Sequence, residues 1–240
     1  MANCKKSAKR VGKYMDSNKQ ISASMMCSNL VELKEAIRIF EENKIEYLHI
    51  DVMDGVFVPN IGLGVDYIRS LRGLTNIPLD IHLMITDPEY KFSWIGIKDT
   101  DIVTIHYEST RQIQRALDYL EPYGCKRFVA INPATSIVCI EEMLDYIDGI
   151  NLLMVNPGFA GQKMVPSTMR KARKLRKFLD DEGYSNIIIE VDGNITFDNA
   201  EKLSKIGADI FVAGTSSIFK GPLSGYEQNL KTLRDKINNA

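Results

Sequence analysis

The sequence predicts a single-domain α/β protein with the closed (β/α)8 architecture of a TIM barrel. Eight short runs rich in β-branched residues recur along the 240 residues, and a segment with helical spacing follows each run. Most of these runs are continuously apolar, which is typical of parallel strands covered by helices. Eight such units in a chain of this length favour a closed barrel over an open doubly wound sheet.

The eight runs define the predicted strands, and no linker rich in Pro, Gly or Ser divides them. The predicted strands are residues 21–26, 47–53, 78–84, 101–107, 126–132, 150–156, 186–192 and 208–214. Residues 21–240 are therefore predicted to form one barrel domain. Residues 1–20 form a basic arm that we expect outside the core, as a frayed segment or short helix. A transit peptide is the alternative, whereas a secretory signal would need an apolar stretch that this arm lacks.

Three intervening segments show candidate helix boundaries. Asn29 is a candidate N-cap, and Ser109 or Thr110 is a candidate N-cap for a helix that stops at Pro122 and Gly124. Gly183 occupies a C-cap position. The first helix is predicted to bury a stripe with a 3.6-residue period, made of Leu30, Leu33, Ala36, Ile37 and Phe40.

Composition and charge argue against several classes of protein. The formal net charge is -1, so nothing indicates a general attraction to nucleic acid or to an anionic membrane. No apolar run approaches the roughly 20 residues that a membrane span needs. The four cysteines form no CxxC pair and are typical of reduced thiols in a cytoplasmic protein.

Polar side chains fall near the carboxyl ends of the predicted strands, where barrels of this type carry their chemistry. In chain order they are Ser24, His49 and Asp51, Asp80 and His82, His106, Asn132, Asn156, and Glu190 and Asp192. All three histidines of the chain lie on strands 2, 3 and 4. We assign His106 no role beyond lining the pocket or making a core hydrogen bond.

Strand alternation brings imidazoles and carboxylates onto shared faces. Residues two apart on a strand point the same way, which pairs His49 with Asp51 and Glu190 with Asp192. Asp80 is expected either to support the site from below or to lie nearer the barrel floor. If these faces point inward, two imidazoles and two carboxylates converge, a donor set that suits Zn, Fe, Mn or Co. The alternative, a polar core without metal, would leave buried charges unsatisfied.

Glycine-rich loops follow the last three predicted strands. They are "NPGFAGQ" at 156–162, "DGNI" at 192–195 and "AGTSSIF" at 213–219. Barrels often bind phosphate with loops after strands 7 and 8 and with a short helix start, which "GTSS" suits, with hydroxyls from Ser216 and Ser217. Glycine is also ordinary turn chemistry, but the three loops together favour a phosphorylated ligand.

Such a site fits proton transfer at a carbon next to a carbonyl. A metal polarises the carbonyl and stabilises the enediolate, while one carboxylate removes a proton and another returns one to the opposite face. Asp51 and Asp192 come from different walls of the barrel and are placed to flank a substrate. His49 is then expected to hold the metal, and Asp51 both to contact it and to move a proton.

The motifs "HIDVMDGVFVPN", "DIHLMI", "INPAT", "NPGFAGQ", "EVDGNI" and "VAGTSSIF" resemble the ribulose-phosphate 3-epimerase family in order and spacing, from about Ile21 to the last helix. The resemblance implies one divalent metal (Zn, Fe, Mn or Co) held by His49, Asp51, His82 and Asp192. It implies Asp51 and Asp192 as the acid/base pair of an isomerase of the pentose phosphate pathway. It also implies a homo-oligomer, either a dimer or a hexamer.

The same resemblance implies which residues contact a small ketose phosphate. These are Ser24, His82, Gly158, Phe159, Ala160, Gly161, Gly193, Asn194, Gly214, Thr215 and Ser216, with Met53 and Met84 lining the pocket. As an alternative, the methionines fill the core. The chain departs from the family pattern at Val56, Leu153, Ala160 and Asn194. None of these is a ligand, so the departures bear on the substrate rather than on the chemistry.

The expected reaction interconverts D-ribulose 5-phosphate and D-xylulose 5-phosphate. "SMMC", "GFAGQ" and "GTSSIF" resemble the allulose-6-phosphate 3-epimerase branch, so conversion of D-allulose 6-phosphate to D-fructose 6-phosphate is the alternative. A non-catalytic barrel that binds a sugar phosphate would not need both aspartates and both histidines. A metal-dependent hydrolase or an aldolase is a further alternative, but no Schiff-base lysine stands at a strand end, since Lys126 begins its strand.

Overall fold

A computed structural model shows eight parallel strands closed into a barrel in the order β1 to β8, which confirms the predicted fold. The structure describes residues 19–240, so most of the predicted basic arm lies outside the described residues. The strands are β1 Gln20–Ser24, β2 Tyr47–Met53, β3 Leu79–Met84, β4 Ile102–His106, β5 Lys126–Ile131, β6 Gly149–Leu153, β7 Ile188–Asp192 and β8 Ile210–Ala213. Each corresponds to one predicted run.

Helices connect the strands and cover the barrel. They are α1 Leu33–Glu42, α2 Val65–Arg72, α3 Phe92–Ile95, α4 Ile113–Leu120, α5 Thr168–Asp181, α6 Phe197–Ile206 and α7 Tyr226–Asn238. A 3-10 helix, Ile137–Tyr146, takes the place of an α-helix after β5. Shorter 3-10 helices are Met25–Cys27, Pro88–Tyr90, Tyr107–Ser109, Glu121–Tyr123 and Leu223–Gly225. No helix within residues 19–240 combines the length and apolar character needed to span a membrane.

Two predicted helix starts are wrong for the same physical reason. The side chain of Asn29 accepts the N–H of Val31 at 3.1 Å, and α1 begins only at Leu33. Leu30 is consequently 52% exposed and not part of the buried stripe. Likewise the Thr110 hydroxyl accepts the N–H of Gln112 at 3.2 Å, ahead of α4. In both places a short polar side chain closes a local turn that competes with helix extension.

The barrel interior changes from apolar to polar along its axis. Tyr47, Ile102, Phe128 and Ile210 form an apolar cluster at the amino end of the strands. His49 and Thr104 stand two residues beyond Tyr47 and Ile102 on the same strands and are fully buried. Other strands add the fully buried polar side chains Ser22, Asp80, Asn151 and Glu190. The opposite faces carry apolar residues that pack under the helices. The stable core therefore lies mainly between strands and helices, and the polar groups lead upward to the carboxyl ends of the strands.

Candidate active site

Four side chains from three strands meet at the carboxyl end of the barrel. His49 and Asp51 stand on β2, His82 on β3, and Asp192 at the end of β7. One nitrogen or oxygen atom of each lies within 4.8 Å of the corresponding atoms of the other three. Both imidazoles are fully buried and Asp51 is 5% exposed, while Asp192 is partly exposed. The two carboxylates belong to strands separated around the ring by β8 and β1.

The arrangement of these atoms fits a divalent cation. His49 Nε2 lies 3.3 Å from Asp51 Oδ1 and 3.7 Å from Asp192 Oδ2. His82 Nδ1 lies 3.5 Å from each of the same two oxygens. Both nitrogens are buried without a hydrogen-bond partner, as expected of lone pairs that face a cation. In a tetrahedral Zn²⁺ site with bonds of about 2.1 Å, neighbouring ligand atoms lie about 3.4 Å apart, close to these four N···O separations.

A deeper layer of buried groups orients His49. Its Nδ1 lies 2.6 Å from Asp80 Oδ2, an oxygen that also accepts the Ser22 hydroxyl at 2.7 Å. In the neutral ring, donation from Nδ1 to Asp80 leaves Nε2 with the lone pair that faces the other ligand atoms. Burial and the charge of Asp80 raise the pKa of Glu190 well above its usual value. Both carboxyl oxygens of Glu190 are buried without a hydrogen-bond partner, so its ionised form is disfavoured.

The third histidine contacts the site from β4. His106 Nε2 lies 2.8 Å from His82 Nε2, and the two rings are within 19° of parallel. His106 Nδ1 lies 3.3 Å from Glu108 Oε2. Burial lowers the pKa of His106 to about 4. Burial opposes ionisation of Glu108, but hydrogen bonds from His106 and its other neighbours lower the pKa of that carboxyl to about 2. At neutral pH the pair is a neutral imidazole beside a carboxylate.

The pKa values of the two aspartates of the cluster are shifted in opposite directions. Burial disfavours the charge of Asp51, but His49 and His82 lower its pKa below the ordinary value. Burial, with the nearby charge of Asp51, raises the pKa of Asp192. Burial also lowers the pKa of His49, yet the charges of Asp80 and Asp51 raise it well above its usual value. Two carboxyl groups whose pKa values are shifted apart in this way suit a pair in which one accepts a proton and the other donates one.

A pocket opens beside Asp51 and Asp192, under the loops that follow β6, β7 and β8. The predicted substrate contacts that line it are Ser24, Phe159, Ala160, Gly161, Gly193, Asn194, Gly214, Thr215 and Ser216. Gly158 lies outside this lining, where its carbonyl accepts the Asn60 side chain at 2.7 Å. In the part of the chain that the structure describes, the lining contains no Lys or Arg. A phosphate in this pocket would be bound by backbone N–H groups and hydroxyls.

The segment after β8 differs from its predicted form. Instead of starting a helix it forms a turn, in which the N–H groups of Ser217 and Phe219 bond to the Gly214 carbonyl at 3.1 and 3.2 Å. Ser217 is fully buried and does not line the pocket, so the prediction of a second hydroxyl donor there is wrong. Ser216 does line the pocket, and its Oγ accepts the Asn194 side chain at 3.4 Å.

Met53 and Met84, which the sequence predicts to line the pocket, are not among its lining residues. Met53 and Met84 are buried and pack with Val58 in a cluster separate from the barrel core. Met26 packs against that cluster and also lines the pocket, together with Cys27. The sequence does not predict either residue as part of the pocket lining. The signal was their position directly after Ser24, in the 3-10 helix that extends β1 over the mouth.

Comparison with known proteins relates the chain to one family. Residues 20–219 match the ribulose-phosphate 3 epimerase family. The chloroplastic ribulose-5-phosphate-3-epimerase of Arabidopsis thaliana is 38% identical over 213 residues, which cover 88% of this chain and 75% of that protein. The ribulose-phosphate 3-epimerase of Bacillus subtilis is 34% identical over 197 residues, 82% of this chain and 91% of that protein.

A solved structure shows the same fold at much lower identity. The 3-keto-L-gulonate-6-phosphate decarboxylase of Vibrio cholerae aligns with a TM-score of 0.66 at 14% sequence identity. The alignment covers 92% of this chain and 98% of that one. At this identity the likeness extends to the barrel architecture alone.

Proposed function

Because the chain belongs to the ribulose-phosphate 3-epimerase family, a family of isomerases, we propose that the cluster of His49, Asp51, His82 and Asp192 is its catalytic centre. The reaction is the interconversion of D-ribulose 5-phosphate and D-xylulose 5-phosphate. The alternative from the sequence, D-allulose 6-phosphate, is not favoured, since the relatives are named for the ribulose substrate. The observation that carries the proposal is the pair of buried, unpartnered imidazole nitrogens facing two carboxylates from different walls.

The four side chains would hold one divalent ion, Zn, Fe, Mn or Co, through His49 Nε2, His82 Nδ1 and one oxygen each of Asp51 and Asp192. Such an ion supplies Lewis acidity toward the substrate carbonyl oxygen. The protein supplies the orientation of the ligands. Asp80 fixes the ring of His49, and the Ser24 hydroxyl donates to Asp51 Oδ2 at 3.0 Å.

The two aspartates carry out the inversion. Asp51, whose pKa is lowered, accepts the proton from C3, and the electrons of the broken C–H bond move onto the C2 carbonyl oxygen. Asp192, whose pKa is raised, donates its proton to C3 from the opposite face and becomes ionised. The reverse reaction exchanges these roles. Met26 lines the pocket and packs against Met53 and Met84, and this apolar cluster limits protonation of the enediolate by water.

The phosphate end of the substrate lies against the loops after β6, β7 and β8. Gly193 adopts φ +105° and Asn194 φ +53°, so this loop turns its backbone toward the pocket. Thr215 and Ser216 add hydroxyl groups on the facing loop. Phe159 is about half exposed beside them, and Ala160 and Gly161 complete the rim. Ser24 and His82 are proposed to contact the sugar at the metal end.

The experiment follows C3 of ribulose 5-phosphate in D₂O. Zinc-loaded wild-type protein should form xylulose 5-phosphate with deuterium at C3. Asp192→Asn should lower the rate of inversion by about 10²–10⁴-fold, because a general acid–base group is lost. Asp51 remains and should still exchange the C3 proton of one epimer without inverting it. Asp51→Asn should show the complementary pattern with the other epimer.

The control is Asp66→Asn, which removes an exposed carboxylate on α2 far from the barrel interior. Metal content and thermal midpoint are measured for every variant, and we expect Asp192→Asn to fold with nearly wild-type stability. Inversion at the wild-type rate in zinc-loaded Asp192→Asn would remove this residue from the mechanism. Wild-type activity that survives complete chelation would remove the metal from it.

Two further properties are proposed, the oligomeric state of the protein and its cellular compartment. We propose a homo-oligomer, a dimer or a hexamer, which light scattering would distinguish. We also propose a cytoplasmic enzyme, because Cys27, Cys125 and Cys139 are free thiols, the state typical of a reducing compartment.

A further inference from the structure

His106 and Glu108 lie behind His82, on the side away from the other ligands. His106 is fully buried, and its Nε2 is 2.8 Å from the Nε2 of His82. Two imidazole nitrogens at this distance share one hydrogen, so one ring donates and the other accepts. The direction of this bond decides where the hydrogen of His82 sits. Only a hydrogen on Nε2 leaves Nδ1 of the neutral ring with a lone pair for a cation.

Glu108 determines that direction. An ionised carboxylate only accepts hydrogen bonds, so the nearby Nδ1 of His106 must carry a hydrogen. The Nε2 of His106 is then an acceptor, and the His82 hydrogen must lie on Nε2. The opposite arrangement would set the His106 Nδ1 lone pair against the carboxylate at 3.3 Å and would place a hydrogen on His82 Nδ1.

The carboxylate itself is held in place from its other side. Its Oε1 accepts the backbone N–H of Asn132 at 2.9 Å and the hydroxyl of Thr135. Both partners follow β5, so the support crosses from one strand to the next. The ring of Phe57 covers His106 at 4.7 Å between centroids. Both imidazoles are fully buried, so water cannot satisfy either ring in either tautomer, whereas the Glu108 side chain keeps 23% of its surface exposed.

We propose that Glu108, acting through His106, is a positioning residue that fixes His82 in the tautomer able to ligate the metal. The inference depends on the proposed metal centre and extends it by two residues beyond the ligands. It requires no charge change in either histidine. This role goes beyond the pocket lining or core hydrogen bond that the sequence predicts for His106.

The test is Glu108→Gln, with zinc affinity as the readout. The glutamine oxygen takes the place of Oε1 beside Asn132 N–H, which turns the amide NH₂ toward His106 Nδ1. That nitrogen must then accept, so the hydrogen of His106 moves to Nε2 and the hydrogen of His82 to Nδ1. We expect the zinc dissociation constant, measured by chelator competition, to rise about 10- to 100-fold, the usual effect of losing an outer partner of a metal ligand.

The matched control is Glu89→Gln. Glu89 lies at the same end of the barrel, and its Oε1 accepts the Thr110 hydroxyl at 2.8 Å without contacting a histidine. Glu89→Gln removes one negative charge, as Glu108→Gln does, and we expect its zinc affinity within about twofold of wild type. The metal-free Glu108→Gln protein should retain its thermal midpoint to within a few degrees. A purely structural role of Glu108 would lower that midpoint and leave the affinity of the folded fraction unchanged.

A second measurement needs no variant. The chain has three histidines, so ¹⁵N-histidine labelling of the zinc-loaded wild type yields six ring nitrogens to assign. We expect a neutral His106 with its hydrogen on Nδ1. A His106 hydrogen on Nε2, or wild-type zinc affinity in Glu108→Gln, would overturn the inference. If the wild type itself fails to bind zinc, the proposed metal centre is wrong and the inference falls with it.

Discussion

Replacing Asp80 by Asn tests how the buried layer below the site controls the metal. Asp80 Oδ2 accepts the Nδ1–H of His49 at 2.6 Å and the Ser22 hydroxyl at 2.7 Å. An asparagine oxygen can accept the same two hydrogens, so His49 keeps its tautomer. What the variant loses is the negative charge that makes His49 a stronger ligand.

The magnitude follows from the kind of contact that is weakened. A fully buried, charge-assisted hydrogen bond to a metal-ligating imidazole is replaced by a neutral one. We expect the zinc dissociation constant of Asp80→Asn to rise about 10- to 100-fold, which corresponds to about 1.4 to 2.8 kcal/mol. The loss should stay below that of removing a ligand, since all four donor atoms remain.

The pH dependence gives this prediction a distinctive form. Burial lowers the pKa of His49, but Asp80 and Asp51 raise it well above its usual value, so a proton competes with zinc for Nε2. Without the Asp80 charge that pKa falls, and the proton competes less. At low pH the weaker competition from the proton therefore offsets part of the weaker zinc binding of the variant. The deficit of the variant should therefore be smallest at low pH and should grow until His49 is neutral in both proteins.

The assay is zinc binding by chelator competition from about pH 6 to about pH 9, a range that spans ordinary and raised histidine pKa values. Glu190→Gln is the matched control, because Glu190 is fully buried near Asp80 with a raised pKa and glutamine has the same shape without a charge. We expect its zinc affinity within about threefold of wild type. A deficit of the same size at every pH would refute the competition argument. A large deficit in Glu190→Gln would show that the effect is not specific to the charge of Asp80.

Two further predictions concern the barrel floor and proton release. A Cβ at Gly149 would lie 2.4 to 2.7 Å from three ring atoms of the fully buried Phe128, so Gly149→Ala should cost about 1–3 kcal/mol in urea unfolding. Adding Phe128→Leu should recover part of that loss, and additive effects of the two changes would contradict the clash. Zinc binding should release a proton from His49 near neutral pH, with the amount falling toward zero as pH rises above its raised pKa. Calorimetry in buffers of different ionisation enthalpy measures this release, and a heat independent of buffer would contradict it.

The periodic part of the architecture was predictable because it depends on local rules. The two-residue period of a strand is enough to group His49 with Asp51 and Glu190 with Asp192, and parallel strands place all their carboxyl ends at one mouth. The helix starts were less predictable. Thr110 forms a local turn as readily as a cap, and the choice depends on how the loop packs.

The sequence by itself determined the eight-unit barrel, the polar strand ends and the family to which the chain belongs. Tertiary structure decided which ring nitrogen of each histidine faces the cluster, and it gave His106 its partners. Those choices depend on hydrogen bonds between different strands, His49 with Asp80 and His82 with His106. A tautomer is set by the partner that folding brings to the other nitrogen, and no spacing along one chain segment specifies that partner.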